Sequence, residues 1–419
     1  MRIEVVTIGD ELLLGFTIDT NAAHLARVLA DAGITVARRS TVGDDEAAIA
    51  AAIRDAFTRA DGVITTGGLG PTSDDRSKPA VAAVFGKRMR LDEGVLAALR
   101  ERWAKRGLGE LPATNRNQAM VPDGATLLEN KHGSAPGIWL EDPRGKWIAM
   151  LPGVPREMKG MLADTLLPKL VARVRDASVV MSRTLRTTGL AESRIADLIG
   201  SIPLPDGVDL AYLPSWPGVD LRVTIRGVTR DVAAERLGAA MAALRAPIAG
   251  AVYGEDDADL AAIVLDALRK RTWTIAVGES CTGGLLGARL TDTPRASDLV
   301  LGGIIAYANE VKIQQLGVRE HTLADHGAVS EPVASEMAEG ARAATGASVG
   351  VGITGVAGPG GGTEAKPVGT VCIAVATPDG GTVKTVRIVG DRAEVRLRAT
   401  QAALQMVRKL ALGEPSRTS

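Results

Sequence analysis

The sequence predicts an α/β protein with three domains, and three observations lead to this class. Short apolar runs that are typical of strands alternate with segments whose apolar residues recur at helical spacing. The chain has 419 residues, and domains of roughly 150 residues predict about three of them. The alternation changes its character twice along the chain, so we place the domains at 1–175, 176–254 and 255–413.

In the first domain, predicted strands and helices alternate in the order expected of a parallel sheet with helices on both faces. The predicted strands are IEVVTIG, ITVARRS, DGVITTGG and KWIAML. The helix TNAAHLARVLADAG has Thr20 or Asn21 as its predicted cap and ends at Gly33, and Asp44 is a predicted cap for DDEAAIAAAIRDAFTRA. Two further helices are predicted, DEGVLAALRERWAKRG and PREMKGMLADTLLPKLVARV.

The second domain is predicted to be a small α+β module. Its segments SRTLRTTG and VDLRVTIRG alternate polar and apolar residues, as strands with one exposed face do. Two helices are predicted around these strands, ESRIADLIG and DVAAERLGAAMAALRA.

The third domain returns to the α/β pattern. It begins with a helix in YGEDDADLAAIVLDALRKR, and a second helix is predicted for SEPVASEMAEGARAATG. The predicted strands are TWTIAVGES, LVLGGIIAY, SVGVGIT and GTVCIAVAT. A final helix runs to Leu412, and the tail GEPSRTS is expected to be disordered.

The composition excludes several classes of function. Hydrophobic residues make up 46% and charged residues 23% of the chain, which is typical of soluble globular proteins. The 49 basic residues are balanced by 49 acidic ones, which disfavours nucleic acid as the main partner. Two cysteines make neither a disulfide framework nor a zinc site. We find no signal peptide and no membrane-spanning run, so we expect a cytoplasmic protein without membrane contact.

The segment VGESCTGGLLG places two candidate nucleophiles, Ser280 and Cys281, between a predicted strand and a predicted helix. Ligands bind at this edge of open α/β sheets, and the free N–H groups of a helix start can hold an oxyanion. The segment is not a G-x-S-x-G elbow, because Thr282 stands where the second glycine would be.

The segment IIAYANEVK offers a base for this serine. Tyr307 and Lys312 follow a predicted strand, and a desolvated lysine can activate a serine without a histidine. Taken alone, the spacing favours a plainer interpretation, in which the lysine lies on a solvated helix and the serine caps a helix. Cys281 is the rival nucleophile, with His321 or His326 as its base, or it is a small core residue.

A second glycine cluster, GITGVAGPGGGTEAKPVGT, joins two predicted strands. Successive backbone N–H groups in such a loop form an anion-binding nest. It is not a Walker A motif, because neither Ser nor Thr follows Lys366. We expect phosphate contact here, and the alternative is a flexible hairpin loop.

The third domain resembles the CinA C-terminal family in ESCTGG, YANEVK, LGV, HGAVSEPVASEMAEGAR and the glycine cluster, over about 256–412. The resemblance implies a nicotinamide mononucleotide deamidase that needs no cofactor. Ser280 would be the catalytic nucleophile, Lys312 and Tyr307 would carry its proton, and amides near Thr282 and Gly283 would hold the oxyanion. The implied substrate-binding residues are Thr282, Gly283, Gly284, Thr354, Gly355, Gly358, Gly360, Gly361 and Arg392.

The first domain resembles the molybdopterin-binding fold in its CinA-type version, through GDELLLGFTIDTNAAHLA, TVGDD, TTGGLGPTSDD and LPGVPREM. The resemblance implies a three-layer α/β fold and a metal-dependent ADP-ribose pyrophosphatase. The family pattern has a carboxylate where this chain has Pro79, which removes a hydrolytic group but leaves phosphate binding by the glycines. The implied substrate contacts are Gly67, Gly68, Gly70 and Asn21, and the implied ligands of Mg²⁺ or a similar cation are Asp74, Asp75, Glu11 and Asp44. Without the resemblance, these acids are equally consistent with solvated loops.

The second domain resembles the KH-like insert of full-length CinA proteins. It has only Gly189 where a working KH domain has a G-x-x-G loop, so we expect a structural or dimer-forming role and not RNA binding. Together, the resemblances imply a homodimeric, bifunctional hydrolase of pyridine-nucleotide salvage, acting on nicotinamide mononucleotide and ADP-ribose. The alternative is a competence-linked regulatory protein that binds a nucleotide or pterin without turnover.

Overall fold

The computed structural model describes residues 1–72, 74–107, 109–173 and 178–414. The predicted domain boundary at 175 and the last five residues of the predicted tail, 415–419, lie outside the described residues. The chain divides into two compact units, one made of 1–182 with 224–236 and the other of 183–223 with the residues from 237 onward.

The N-terminal sheet has six strands, and its order follows the predicted alternation. The strands are β1 (Arg2–Ile8), β2 (Thr35–Val42), β3 (Gly62–Thr66), β6 (Thr126–Leu128), β7 (Gly137–Glu141) and β8 (Trp147–Leu151), and β4 (Met89–Leu91) pairs separately with β5 (Met120–Pro122). The order is β2-β1-β3-β8-β7-β6. The first four strands are parallel, and β7 and β6 add an antiparallel edge that the sequence did not predict.

Helices cover both faces of this sheet, which makes the predicted three layers. On β1, Val5 belongs to the core that includes Leu25, while the next residue, Val6, belongs to the opposite core with Ile49 and Ile53. This follows from the alternation of side chains along a strand. The helices are α1 (Asp10–Leu13), α2 (Thr20–Asp31), α3 (Glu46–Phe57), α4 (Ser77–Val84), α5 (Glu93–Lys105), α6 (Pro155–Met161) and α7 (Leu167–Val171), with a π-helical turn at Leu162–Leu166 and a 3-10 turn at Ala113–Ala119.

Two helix caps differ from the prediction by one residue. The cap of α2 is Asp19, whose side chain accepts a hydrogen bond from the Ala22 N–H at 2.8 Å. The cap of α3 is Asp45, which accepts from the Ala48 N–H in the same way. The predicted cap Asp44 is therefore left available for another role.

The middle sheet has the order β10-β11-β9-β12. Both predicted strands and both predicted helices are present, and the sequence missed β10 and β12. The elements are β9 (Ser178–Thr187), α8 (Glu192–Ile199), β10 (Val208–Pro214), β11 (Val219–Thr229), α9 (Arg230–Arg245), a 3-10 turn at Ala246–Ile248, and β12 (Val252–Glu255).

The C-terminal sheet has five strands in the order β14-β13-β15-β16-β17. Its elements are α10 (Leu260–Lys270), β13 (Ile275–Glu279), α11 (Leu285–Thr291), a 3-10 turn at Ala296–Asp298, β14 (Val300–Ile305), α12 (Asn309–Leu316), α13 (Glu320–His326), α14 (Glu331–Thr345), β15 (Val349–Gly355), β16 (Thr370–Thr377), β17 (Gly380–Arg387) and α15 (Arg392–Leu412). The strands β14, β13 and β15 are parallel, and β16 and β17 are antiparallel additions.

The first two residues of the predicted tail, Gly413 and Glu414, make defined contacts. Gly413 terminates α15 with a φ of 68°, a left-handed conformation that suits glycine. The carboxylate of Glu414 then pairs with the buried guanidinium of Arg408 at 3.1 Å. Among the described residues, no helix combines the length and apolar character needed to cross a membrane.

Candidate functional site

A cavity of about 220 Å³ lies at the carboxyl edge of the C-terminal sheet. The parallel strands bring their ends together here, since Glu279 of β13 is level with Ile305 of β14 and Ile353 of β15. The cavity contains all three predicted catalytic residues. It is lined by Ser280, Cys281, Tyr307, Asn309, Lys312, Ala328, Val329, Thr354, Gly355, Ala357 and Arg392.

Of the two candidate nucleophiles, the environment favours Ser280. Its N–H donates to the carbonyl of Ile353 at 2.9 Å, which fixes the residue at the end of β13. Cys281 is only 5% exposed and belongs to the hydrophobic core. Burial, with the nearby carboxylate of Glu279, raises the pKa of the Cys281 thiol to about 12. A thiol that stays protonated is a poor nucleophile.

Lys312 is buried, contrary to the alternative of a lysine on a solvated helix. Its side chain is 1% exposed, and Nζ donates to the carbonyl oxygen of Tyr307 at 3.1 Å. Burial lowers the pKa of Lys312, although the charges of Cys281 and Glu310 oppose this shift. A lysine in this setting reaches its neutral form more readily, and neutral lysine can accept a proton.

Tyr307 and Arg392 are joined at the other side of the cavity. The Arg392 guanidinium donates to the Tyr307 hydroxyl at 2.9 Å and to the carbonyl of Gly358 at 2.8 Å. The arginine is the first residue of α15, whose cap Asp391 forms a reciprocal pair of hydrogen bonds with Glu394. Arg392 therefore links the tyrosine to the glycine cluster.

The glycine cluster is held by polar contacts. The Lys366 ammonium donates to the carbonyl of His326 at 2.6 Å, and the Thr354 hydroxyl donates to the carbonyl of Ala328 at 2.8 Å. Of the glycines predicted to contact the substrate, Gly355 lies in the described lining of the cavity. Gly358, Gly360, Gly361 and the histidines predicted as bases for Cys281 lie outside that lining.

Two amides of the turn after Ser280 have internal partners. The Gly283 N–H donates to the carbonyl of Ser280 at 3.1 Å. The Gly284 N–H donates to the carboxylate of Glu279 at 3.0 Å, as do two amides that follow it. The oxyanion role of the Gly283 amide stays a prediction, and in this structure a carbonyl of the same turn accepts from that amide. Thr282 keeps a buried hydroxyl without a hydrogen-bond partner in the described part of the chain.

A second cavity, of about 470 Å³, lies in the N-terminal domain at the carboxyl ends of β1, β3 and β8. All the residues predicted for this domain's site contribute to its lining: Glu11, Asn21, Asp44, Gly67, Gly68, Gly70, Asp74 and Asp75. Ile18, Gln118, Val154 and Glu157 also line it and were missed from the sequence.

Two of the predicted metal ligands already accept hydrogen bonds. The Asp75 carboxylate accepts from the Gly70 N–H at 2.7 Å, the Thr72 N–H at 2.8 Å and the Thr72 hydroxyl at 2.6 Å. These bonds stabilise the turn that contains Gly67, Gly68 and Gly70, which we call the glycine turn. The Asp44 carboxylate accepts from the Asp10 N–H at 3.0 Å.

Negative charge nevertheless converges on Asp44. Burial raises the pKa of its carboxyl, and the carboxylates of Asp10, Glu11 and Asp74 raise it further. Among the described residues, no three carboxylate, imidazole or thiolate groups lie close enough together to coordinate one ion. In their present positions these residues do not fit a preformed metal site.

Helix α4, which carries Pro79, contacts the glycine turn through the residue at its start. The Ser77 hydroxyl donates to the carbonyl of Gly67 at 2.9 Å. The Lys78 ammonium, 4% exposed, donates to the carbonyls of Asn117 and Gln118 at 2.5 and 3.2 Å. Burial lowers the pKa of Lys78 to about 8. No pattern in the sequence predicts that this lysine is buried.

Comparison with known proteins covers nearly the whole chain. Family models match residues 4–172 (probable molybdopterin binding domain), 182–254 (damage-inducible protein CinA KH domain) and 257–411 (CinA C-terminal domain). A CinA-like protein from Gemmatimonas aurantiaca is 56% identical over 98% of this chain and 96% of its own length. A CinA-like protein from Frankia casuarinae is 44% identical over 99% and 98%.

Among solved structures, a CinA protein of unknown function from Thermoplasma acidophilum is 36% identical, covering 41% of this chain and 97% of that one with a TM-score of 0.37. The full-length identities and the three consecutive family matches agree with the α/β, α+β and α/β order seen in the fold. The chain belongs to the family of CinA-like proteins, with a molybdopterin-binding-type N-terminal domain, a KH domain and a CinA C-terminal domain.

Proposed function

We propose that the C-terminal cavity is the active site of an amidohydrolase that converts nicotinamide mononucleotide into nicotinic acid mononucleotide and ammonia. The observation that carries the proposal is the buried Lys312, with its lowered pKa, in the same cavity as Ser280. A base beside a serine at the edge of a sheet is the arrangement that acyl transfer requires.

In the first half of the reaction, the Ser280 oxygen attacks the amide carbon while neutral Lys312 takes the hydroxyl proton. The protonated Lys312 then donates that proton to the leaving nitrogen, so that ammonia departs and an ester remains on Ser280. In the second half, the oxygen of a water molecule attacks the ester carbon while Lys312 takes a proton from that water. The proton returns to the serine oxygen, and the carboxylic acid product is released.

The charges around the cavity favour an anionic substrate. Among the described residues that line the cavity, two have basic side chains, Lys312 and Arg392, and none has a carboxylate. Arginine stays charged at neutral pH and suits phosphate recognition. We therefore place the substrate phosphate beside Arg392 and the reacting amide beside Ser280, with the Tyr307 hydroxyl held between them by its bond to Arg392.

For the N-terminal domain we propose binding of a nucleotide pyrophosphate of the ADP-ribose type. The favouring observation is that Asn21, the glycine turn and the predicted acids all line one cavity of about 470 Å³. Metal-dependent hydrolysis remains a prediction, and no chemical step is derived through a metal, because the described carboxylates do not converge on one point. Pro79 and the engaged Asp75 favour binding over turnover.

The test of the leading proposal is ammonia release by the purified full-length chain. Nicotinamide mononucleotide should give ammonia and nicotinic acid mononucleotide in equal amounts. Nicotinamide riboside, which lacks the phosphate, should react with a much lower kcat/KM. The proposal would be refuted by the absence of ammonia from the mononucleotide while the protein is folded and monodisperse.

A further inference from the structure

The carboxylate of Glu279 is buried directly beside the proposed nucleophile. Glu279 is the last residue of β13 and is 1% exposed. Its two oxygens accept three backbone hydrogen bonds, from the N–H groups of Gly284 at 3.0 Å, Leu286 at 3.1 Å and Gly287 at 2.8 Å. These three N–H groups belong to the turn that follows Ser280 and to the start of α11, which we call the amide turn.

A charge this deeply buried persists only when its surroundings compensate it. Hydrogen bonds from backbone N–H groups to a carboxylate are shorter and about twice as strong as those between neutral groups. The turn itself needs two residues with positive φ, Gly283 at 59° and Gly284 at 94°, so it has little intrinsic preference for this shape. Glu279 is therefore the group that makes the turn favourable.

The turn carries Ser280 between two fixed points. On one side, the Ser280 N–H donates to the carbonyl of Ile353 on the neighbouring strand. On the other side, the Ser280 carbonyl accepts from Gly283, and the next amide is held by Glu279. The position of the serine hydroxyl in the cavity thus depends on a contact made by the residue before it.

We propose that Glu279 is a positioning residue that acts as an internal anion, folding the amide turn that follows Ser280 and thereby holding the serine at the cavity. The same negative charge opposes ionisation of Cys281. The kinetic part of this inference rests on the proposed amidohydrolase function, and the structural part does not.

The decisive variant is Glu279→Ala, which leaves three N–H groups around a space the size of a carboxylate. We expect kcat to fall about 100-fold with KM changed less than about threefold, because small misplacements of a reacting group cost this much. Sodium formate at increasing concentration should restore a large part of kcat, since it supplies the missing anion. Glu279→Gln retains the shape and one oxygen acceptor, and its kcat should lie between those of wild type and Glu279→Ala.

A readout independent of activity separates this inference from the proposed function. Formate should raise the Tm of Glu279→Ala in a concentration-dependent manner and leave the wild type unchanged, with sodium chloride as the ionic-strength control. Hydrogen exchange at Gly284, Leu286 and Gly287 should be fast in the variant and slow again with formate. Glu320→Ala, which removes an exposed glutamate from α13, is the matched control and should show neither effect.

Three results would overturn the inference: slow exchange at the three amides in Glu279→Ala, a Tm that formate does not raise, or a kcat equal to that of wild type. If Glu279→Ala folds only when formate is present, that dependence itself supports the inference. If wild-type protein releases no ammonia, the proposed function fails, while the Tm and exchange measurements still decide the role of Glu279.

Discussion

Replacing Lys312 with methionine should abolish deamidation and at the same time stabilise the protein at neutral pH. Methionine has a similar length and no charge, so it fills the same buried space without the cost of desolvating an ammonium group. Lys312 is 1% exposed, and its ammonium group donates a hydrogen bond to the backbone carbonyl of Tyr307. This variant is informative because it is expected to lower the rate of deamidation and to raise the stability of the protein.

The expected size of both effects follows from the pKa. A lysine with the ordinary pKa of about 10.4 is neutral in roughly one molecule in 2,500 at pH 7, and each unit of lowering multiplies that fraction by ten. Burial lowers the pKa of Lys312, so kcat/KM should rise with pH through a group that titrates below 10.4. Loss of a general base typically costs 10²–10⁴ in rate.

The sign of the effect on stability is set by proton binding. Between the lowered pKa in the folded state and the ordinary value in the unfolded state, the unfolded chain binds more protons, so the free energy of unfolding rises with pH. Each unit of lowering corresponds to about 1.4 kcal/mol of stability that is missing below the folded-state pKa. Lys312→Met removes this dependence and should be more stable than wild type at pH 7.

The assay is ammonia release between pH 6 and 10, combined with urea unfolding at pH 7 and pH 9. Lys384→Met, a change on the exposed strand β17, is the control and should alter neither profile. If Lys312→Met keeps the alkaline rise in kcat/KM, another group is the base. If it retains activity near the wild-type level or loses stability at pH 7, the role assigned to the buried ammonium is wrong.

Three further predictions concern the two cavities. Ser280→Ala should reduce deamidation by several orders of magnitude while Cys281→Ala keeps most of it, as measured by ammonia release, and the opposite pattern would contradict the assignment. Arg392→Ala should raise KM for nicotinamide mononucleotide about tenfold or more and leave nicotinamide riboside almost unaffected, with Arg398→Ala on the same helix as the control; equal effects on both substrates would exclude a phosphate contact. Excess EDTA should stop any ADP-ribose cleavage and spare deamidation, because no carboxylate belongs to the described lining of the C-terminal cavity; deamidation that is lost on chelation would refute the separation.

Much of the fold could be predicted because its central strands are continuous apolar runs. The parallel strands β1, β3, β13 and β15 are buried along nearly their whole length and were all predicted. The strands that the sequence did not predict are more exposed. β17 reads GGTVKTVR and is largely exposed, and β10 is nowhere fully buried. Such strands are defined by the neighbour they pair with, which local sequence does not reveal.

The candidate catalytic residues could be predicted, but the burial of Lys312 could not. Spacing alone favoured a lysine on a solvated helix, since α12 has little amphipathic pattern to show which face is buried. Its burial arises from tertiary packing, as α12 lies against α14, which in turn lies on β13, β15 and β16. The same limit applies to Lys78, whose burial against the carbonyls of Asn117 and Gln118 no local pattern in the sequence predicts.

The two acids beside glycine-rich turns show why a residue type does not settle its role. From the sequence, Asp75 was a metal ligand and Glu279 was only the residue before the nucleophile. In the structure both carboxylates accept hydrogen bonds from the N–H groups of their own turns. A glycine-rich turn exposes amides that attract an anion, and a carboxylate already in the chain satisfies them before any ligand does. In the C-terminal cavity the proposed phosphate contact is therefore a side-chain cation, Arg392, and not the amides of this turn.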